Sequence, residues 1–326
     1  MKAVTSRYLV TGGAGYVGGT VARHLVEAGH EVTVLDDLST GFAEGVPAGA
    51  EFIEGRIQDA AKWLDGSYGG VLHFAAFSQV GESVAKPEKY WENNVGGTMA
   101  LLAAMRTAGV RKLVFSSTAA TYGEPESVPI TESARTAPTS PYGASKLAVD
   151  HMIGGECAAH GLAAVSLRYF NVAGAYGACG ERHDPESHLV PLVLEVALGR
   201  REAINVYGDD YPTPDGTCVR DYIHVADLAE AHLLALDAMT PGEHLVCNLG
   251  NGNGFSVREV VETVRRVTGH PVPEVIAARR PGDPAVLVAS AETARERLGW
   301  HPSRPDLADI VRDAWAFTQE RERGRA

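Results

Sequence analysis

A short apolar run, Tyr8-Leu9-Val10, leads into Thr11-Gly12-Gly13-Ala14-Gly15-Tyr16-Val17-Gly18, after which Val21, Leu25 and Val26 recur at helical spacing as far as Gly29. Strand, glycine turn and helix in that order leave few folds open. Glycines at Gly13-x-Gly15-x-x-Gly18 let backbone approach a pyrophosphate while the following helix aims its free N–H groups at it. A glycine triplet alone often marks only a tight turn. Here the next apolar run, Val32-Thr33-Val34-Leu35, ends in Asp36, eighteen residues after Gly18, where a ribose-binding acid belongs.

The alternation continues. Glu51-Phe52-Ile53, Val71-Leu72-His73-Phe74-Ala75, Lys112-Leu113-Val114-Phe115-Ser116 and Ala164-Val165-Ser166-Leu167-Arg168 read as strands, and a long helical stretch runs from about Tyr90 to Gly109. Nearly continuous apolar strands separated by helices predict an α/β fold with a doubly wound parallel sheet, covered on both faces. Ligands of such sheets bind beyond the carboxyl ends of the strands, which brings Phe74-Ala75-Ala76 and Ser116-Ser117-Thr118 to one crevice. The expected division is a dinucleotide-binding domain over residues 1–172, rejoined by part of 218–240, and a smaller mixed α/β substrate lobe over 173–326.

A second stretch, Thr139-Ser140-Pro141-Tyr142-Gly143-Ala144-Ser145-Lys146, borders the same crevice. With Pro141 at the first helical position and Ser140 as N-cap, Tyr142 and Lys146 fall on one helix face at its electropositive end. Burial raises a phenol above its usual pKa of about 10, whereas a neighbouring ammonium and a helix N-terminus favour the phenolate. The spacing therefore predicts an ionised Tyr142 able to act as a base. In isolation, a Tyr-x-x-x-Lys is an ordinary surface helix.

Composition excludes several alternatives. Across 326 residues, 41 Asp and Glu outweigh 29 Lys and Arg, so no global field attracts nucleic acid or an anionic membrane. Cys157, Cys179, Cys218 and Cys247 lie far apart without paired spacing, which predicts neither a zinc site nor disulfides but reduced thiols in a cytoplasmic protein. The apolar run after Lys2 and Arg7 is broken at Gly12 and Gly13, so neither a signal peptide nor a membrane span is expected. The charged end from Gln319 to Ala326 is expected to fray.

Taken together, Thr11-Gly12-x-x-Gly15-x-x-Gly18, His73-Phe74-Ala75-Ala76, Asn93-Asn94-Val95, Ser116-Ser117-Thr118, Tyr122-Gly123 and Ser140-Pro141-Tyr142-Gly143-x-Ser145-Lys146 resemble the extended short-chain dehydrogenase/reductase family, and the likeness runs from about Arg7 to Trp315. The resemblance implies a Rossmann domain and a retained NAD that takes up and returns the C4 hydride of a UDP-hexose, interconverting UDP-galactose and UDP-glucose. Tyr142, Lys146 and Thr118 are then catalytic, with Thr118 relaying a proton and Lys146 holding the phenolate and the nicotinamide ribose. NAD contacts fall to Gly12, Gly15, Tyr16, Val17, Gly18, Asp36, Asp37, Ile57, Phe74, Ala75, Ala76, Asn93, Ser116, Tyr142, Lys146 and Tyr169, where an asparagine of the Asn93-Asn94 pair either contacts the cofactor or satisfies the adjoining helix. A carboxylate at Asp36 favours NAD and repels the 2′-phosphate of NADP.

In the second half, Asp215-Gly216-Thr217-Cys218-Val219-Arg220-Asp221-Tyr222-Ile223-His224-Val225-x-Asp227-Leu228 resembles nucleotide-sugar enzymes of that family. The likeness implies a substrate site built from Thr118, Tyr142, Asn171, His188, Leu189, Asn205, Tyr207, Arg220, Arg280, Asp283 and Leu287. Arg220 and the second arginine of Arg279-Arg280-Pro281-Gly282-Asp283 meet the diphosphate, Asp283 the uridine ribose, and Leu287 the sugar pocket. Arg220 is not expected to pair with Asp221, since neighbours on a strand face opposite sides. His188 stands where relatives carry Asn; it has no metal-forming partners nearby, and no metal is expected.

Two departures bear on cofactor retention. Arg56 stands where the family pattern has an adenine-binding Asp, and Ser78-Gln79 where some relatives have a lysine. Ala119-Ala120 replace the Asp-Glu pair that a nucleotide-sugar dehydratase needs. Epimerases of UDP-N-acetylhexosamines or UDP-pentoses remain alternatives, as does a catalytically silent dinucleotide sensor. The resemblance also implies a homodimer.

Overall fold

The computed structural model describes residues 5–183, 185–280 and 283–324. Pro281 and Gly282 of the Arg279–Asp283 turn, and Arg325 and Ala326 of the charged end, lie outside them. The first half runs β1 (Arg7–Thr11), α1 (Tyr16–Glu27), β2 (Glu31–Asp36), β3 (Glu51–Glu54), β4 (Tyr68–His73), α2 (Val80–Ala85), α3 (Pro87–Tyr90), α4 (Thr98–Ala108), β5 (Lys112–Thr118), α5 (Pro141–His160) and β6 (Ala163–Tyr169). Then follow β7 (Asn171–Ala173), β8 (Ala175–Tyr176), β9 (Cys179–Gly180), α6 (Leu189–Ala197), β10 (Ile204–Tyr207), β11 (Val219–Arg220), β12 (Tyr222–His224), α7 (Val225–Asp237) and β13 (His244–Leu249). The chain ends with β14 (Phe255–Ser256), α8 (Val257–Thr268), β15 (Glu274–Ala277), β16 (Val286–Leu287), α9 (Glu292–Leu298) and α10 (Leu307–Arg323).

The main sheet has seven parallel strands in the order β13-β6-β5-β4-β1-β2-β3, reversing direction of progress at β1 and β4. Because strand side chains alternate between faces, Val10, Val34, Leu72 and Val114 pack on one side with α1 and α7. Leu9, Leu35, Val71, Leu113 and Phe115 pack on the other with α4 and α5. Each fully buried aliphatic side chain contributes roughly 1.5–3 kcal/mol. The two apolar layers thus hold the carboxyl ends of the strands in one plane.

Strand β13 and helix α9, with Trp300, join the first-half core, so the chain returns to it well beyond the expected 218–240 stretch. Trp300 Nε1 donates to the Asp227 carbonyl at 2.8 Å, fixing α9 to α7. The second core gathers α6, α8 and α10 around Ala173, Ile204 and Tyr222. Ser256 and Glu259 form a reciprocal capping box that starts α8.

The stretch from Tyr90 to Ala108 is helical throughout as expected, with Trp91–Gly97 π-helical between α3 and α4, where Asn94 bonds Phe77 backbone and Ser145. One expectation needs correction. The charged terminus does not fray from Gln319, since α10 continues through Arg323 with Trp315 and Phe317 buried. Among the described residues no helix is long and apolar enough to cross a membrane.

Candidate active site

A cleft of about 530 Å³ opens at the carboxyl ends of β1, β2, β4, β5 and β6, and its far wall comes from the second half of the chain. The turn after β1 begins it. Gly12 has φ 72°, and a Cβ there would stand 2.5 Å from the Ala75 amide nitrogen; one on Gly18 would stand 2.2 Å from the Gly12 carbonyl oxygen. Only glycine lets the turn, the β4 exit and α1 converge so tightly. Gly12, Gly15, Tyr16, Val17 and Gly18 all line the cleft.

Asp36, at the end of β2, accepts the Ala14 amide at 3.0 Å and the Leu38 amide at 2.8 Å, which aims its carboxylate at the glycine turn. Burial raises its pKa, partly offset by those two amides. Asp37, Ile57, Phe74, Ala75, Ala76, Asn93, Ser116 and Tyr169 line the same cleft. Arg56 turns away to an exposed ion pair with Glu92 at 3.7 Å, leaving Ile57 as the wall beside β3. Of the two asparagines, Asn93 reaches the cleft while Asn94 is buried as a brace between Phe77 and Ser145.

Ser140 caps α5 by accepting the Gly143 amide at 3.2 Å, with Pro141 at the first turn as the spacing predicts. Tyr142 and Lys146 both reach the cleft. Lys146 is buried, donates to the Ser116 carbonyl at 2.8 Å and lies 4.8 Å above the Phe115 ring. Burial lowers its pKa to about 7, with Asp150 opposing the shift. Burial raises the Tyr142 pKa, opposed by a hydrogen bond with Thr118.

Asn171, His188, Leu189, Asp283 and Leu287 form the far wall. Asn205, Tyr207, Arg220 and Arg280 do not line this cleft; they are engaged with one another or with the wall. Arg280 lies 4.0 Å over the Tyr207 ring and, with Asn205, hydrogen-bonds its phenol and lowers its pKa. Arg220 pairs with Asp283 across the β11 turn. As expected, it does not pair with Asp221, whose carboxylate accepts the amides of Asn251, Gly252 and Ala289. Ala119 and Ala120 line the cleft beside Thr118, so no acid occupies the positions a dehydratase would use.

The residues from Thr11 to Lys146 therefore assemble a dinucleotide cradle and a Tyr–Lys–Thr group on one sheet edge. A family model described as the NAD dependent epimerase/dehydratase family matches residues 8–250. The chain belongs to this family. It is 74% identical over 326 residues to a UDP-glucose 4-epimerase of Streptomyces lividans, covering 98% of each chain. A structure of UDP-glucose 4-epimerase from Brucella ovis with NAD superposes with TM-score 0.91 at 46% identity, covering 96% of this chain and 98% of that one. A UDP-glucose-4-epimerase from Stenotrophomonas maltophila with bound NAD and formylated UDP-arabinopyranose does so with TM-score 0.93 at 39% identity, covering 98% and 99%.

Several functional neighbours escape sequence reasoning. The Tyr16 hydroxyl donates to the Gly174 carbonyl at 2.7 Å, so a residue expected to serve the cofactor also ties the two halves together. The expectation that His188 lacks ligating neighbours is overturned. Glu181, His183, Glu186 and His188 bring one ligand atom each within 4.8 Å of one another. Burial alone would lower the His188 pKa, but Glu181 and Glu186 raise it to about 10. The signal was present in the run Glu181-x-His183-x-x-Glu186-x-His188, which folds back on itself before α6.

Proposed function

We propose that this protein interconverts UDP-galactose and UDP-glucose at the sugar C4, using NAD that it retains through the cycle. The observation that carries the reading is the placement of Tyr142, Thr118 and Lys146 in one cleft with the glycine turn on one side and Asn171, Asp283 and Leu287 on the other. Relatives of this sequence and shape bear the name UDP-glucose 4-epimerase.

NAD, when bound, supplies a hydride acceptor at C4 and a positive charge in a pocket where burial otherwise disfavours a phenolate. Gly12, Gly15 and Gly18 with the α1 N-terminus would hold its pyrophosphate, Asp36 its ribose, and Ile57 the adenine side, all of them lining the cleft. Tyr142 takes the 4-hydroxyl proton, with Thr118 hydrogen-bonded to both the phenol and the sugar oxygen. Lys146, fixed on Ser116, keeps the phenol's surroundings polar and holds the nicotinamide ribose. The 4-keto sugar then turns about its diphosphate link and receives the hydride on its other face, while Tyr142 returns the proton. Turning requires a firm hold on UDP by Asn171, Asp283 and the α6 N-terminus, and a loose one on the sugar by an aliphatic wall including Leu287.

The exposed side chains of Val84, Trp91 and Met99 on the α2-to-α4 stretch support a homodimer through that face. Four buried, unpaired cysteines support a cytoplasmic location. The deciding assay follows UDP-galactose, UDP-N-acetylgalactosamine and UDP-arabinose by NMR, without added NAD, beside Tyr142→Phe. Formation of UDP-glucose that disappears in the variant is expected. No conversion of any sugar, with NAD supplied, would overturn the reading.

A further inference from the structure

Residues 174–183 and 185–188 lie as a strap between the two halves. Tyr176 donates to Glu27 Oε2 at 2.8 Å, the Arg182 guanidinium lies 3.9 Å over the Phe42 ring, and Gln79 Nε2 donates to the Pro185 carbonyl at 3.4 Å. Where the strap meets α6, its side chains converge. His188 Nδ1 stands 2.9 Å from Glu181 Oε1 and 3.1 Å from Glu186 Oε1. His183 Nδ1 stands 3.6 Å from Glu181 Oε1 and 3.7 Å from Glu186 Oε2.

We propose that Glu181, His183, Glu186 and His188 form a binding site for one divalent cation of the zinc class, which braces the strap against α6. A tetrahedral ion with bonds of about 2.1 Å to nitrogen and oxygen holds its ligand atoms about 3.4 Å apart. The His188 distances are of hydrogen-bond length and the His183 distances slightly exceed that edge, and one ligand atom from each of the four residues lies within 4.8 Å of the others. The distances from His183 are too long for hydrogen bonds, and its Nδ1 is buried without a hydrogen-bond partner. A nitrogen lone pair facing two carboxylates at such spacing is what an ion between them requires.

The donor set selects the metal. Two imidazoles and two carboxylates suit zinc, whereas calcium and magnesium favour six or more oxygens. Both carboxylates are pinned, with Glu181 and Glu186 side chains only 8% and 9% exposed. Glu186 Oε1 accepts the amides of Ser187 and His188 at 2.8 and 2.9 Å and Oε2 the amide of His183 at 3.3 Å, which leaves a lone pair on Oε2 for a cation. The His188 side chain is 44% exposed and supplies the entry path. The assignment does not depend on the proposed reaction.

The test uses tag-free full-length protein, stripped with a chelator and titrated with cobalt(II) and then zinc(II). Visible bands of four-coordinate cobalt, saturating at one equivalent and displaced by zinc, are expected. His183→Ala and Glu181→Gln should each weaken cobalt binding by more than about tenfold, since loss of even an outer-shell partner costs that much. Zinc should also raise the unfolding temperature of the unmodified protein, a readout that stands if a variant misfolds. Featureless cobalt spectra, or binding equally strong in both variants, would show a protonated histidine between two carboxylates and overturn the site.

Discussion

The Lys146 ammonium donates to the Ser116 carbonyl oxygen at 2.8 Å, so the lysine is anchored to the end of β5 from inside the fold. That anchor comes at a cost in charge. Burial lowers the Lys146 pKa from 10.5 to about 7 in the ligand-free protein. Between those values the unfolded chain binds a proton that the folded one does not, and stability rises with pH. Relative to Lys146→Met, the unmodified protein should gain stability from pH 7 to pH 10. Urea unfolding of nucleotide-free protein at both pH values checks this; parallel behaviour of the two proteins would contradict it.

Tyr142 opens onto the cleft, and its phenol is hydrogen-bonded with Thr118. Tyr142→Phe should lower kcat about 10²–10⁴-fold, the usual worth of a positioned acid–base group, with the unfolding midpoint little changed. Thr118→Val should give a smaller loss. Equal turnover in Tyr142→Phe would place the base elsewhere.

Asp36 uses both oxygens on backbone amides, Oδ2 on Ala14 in the glycine turn and Oδ1 on Leu38 in the loop after β2. An asparagine offers one acceptor oxygen and no charge. Asp36→Asn should weaken NAD binding about tenfold to a hundredfold, because hydrogen bonds to charged groups contribute about 1.5–3 kcal/mol. Discrimination against NADP should narrow as well. Calorimetric titration of stripped protein with each dinucleotide measures both effects.

The buried Arg168 guanidinium bonds Asp150 Oδ2 at 2.8 and 3.0 Å and the Tyr122 hydroxyl at 3.1 Å. Removing one partner leaves an uncompensated charge under the sheet edge. Arg168→Met and Asp150→Ala should each cost about 3–5 kcal/mol, and the double variant less than their sum. Additive losses in chemical denaturation would argue against a coupled pair.

Much of this site is legible in sequence because its features are local. Gly12 to Gly18, Asp36, and Tyr142 with Lys146 fall at fixed offsets from strand ends and helix starts, so period and spacing place them. What escapes reading depends on long-range approach. The Tyr16–Gly174 bond, the Arg220–Asp283 pair and the engagement of Arg280 with Tyr207 join residues whose separation in the chain hides their contact. The burial of Tyr142, which raises its pKa, is likewise a product of the folded chain, whereas the helix start and the lysine four residues on are visible in sequence. The Glu181–His188 cluster is local, but its ligating geometry appears only once the strap is folded against α6.

The central claim is that one hydride leaves C4 and returns to the same carbon within a cleft whose proton traffic passes through Tyr142. Its most direct test supplies UDP-galactose deuterated at C4 to the protein with its retained NAD. UDP-glucose still carrying deuterium at C4, formed without exchange into added NAD and absent with Tyr142→Phe, is the expected result. Product whose C4 deuterium has been replaced by solvent hydrogen, or turnover undiminished in Tyr142→Phe, would contradict it.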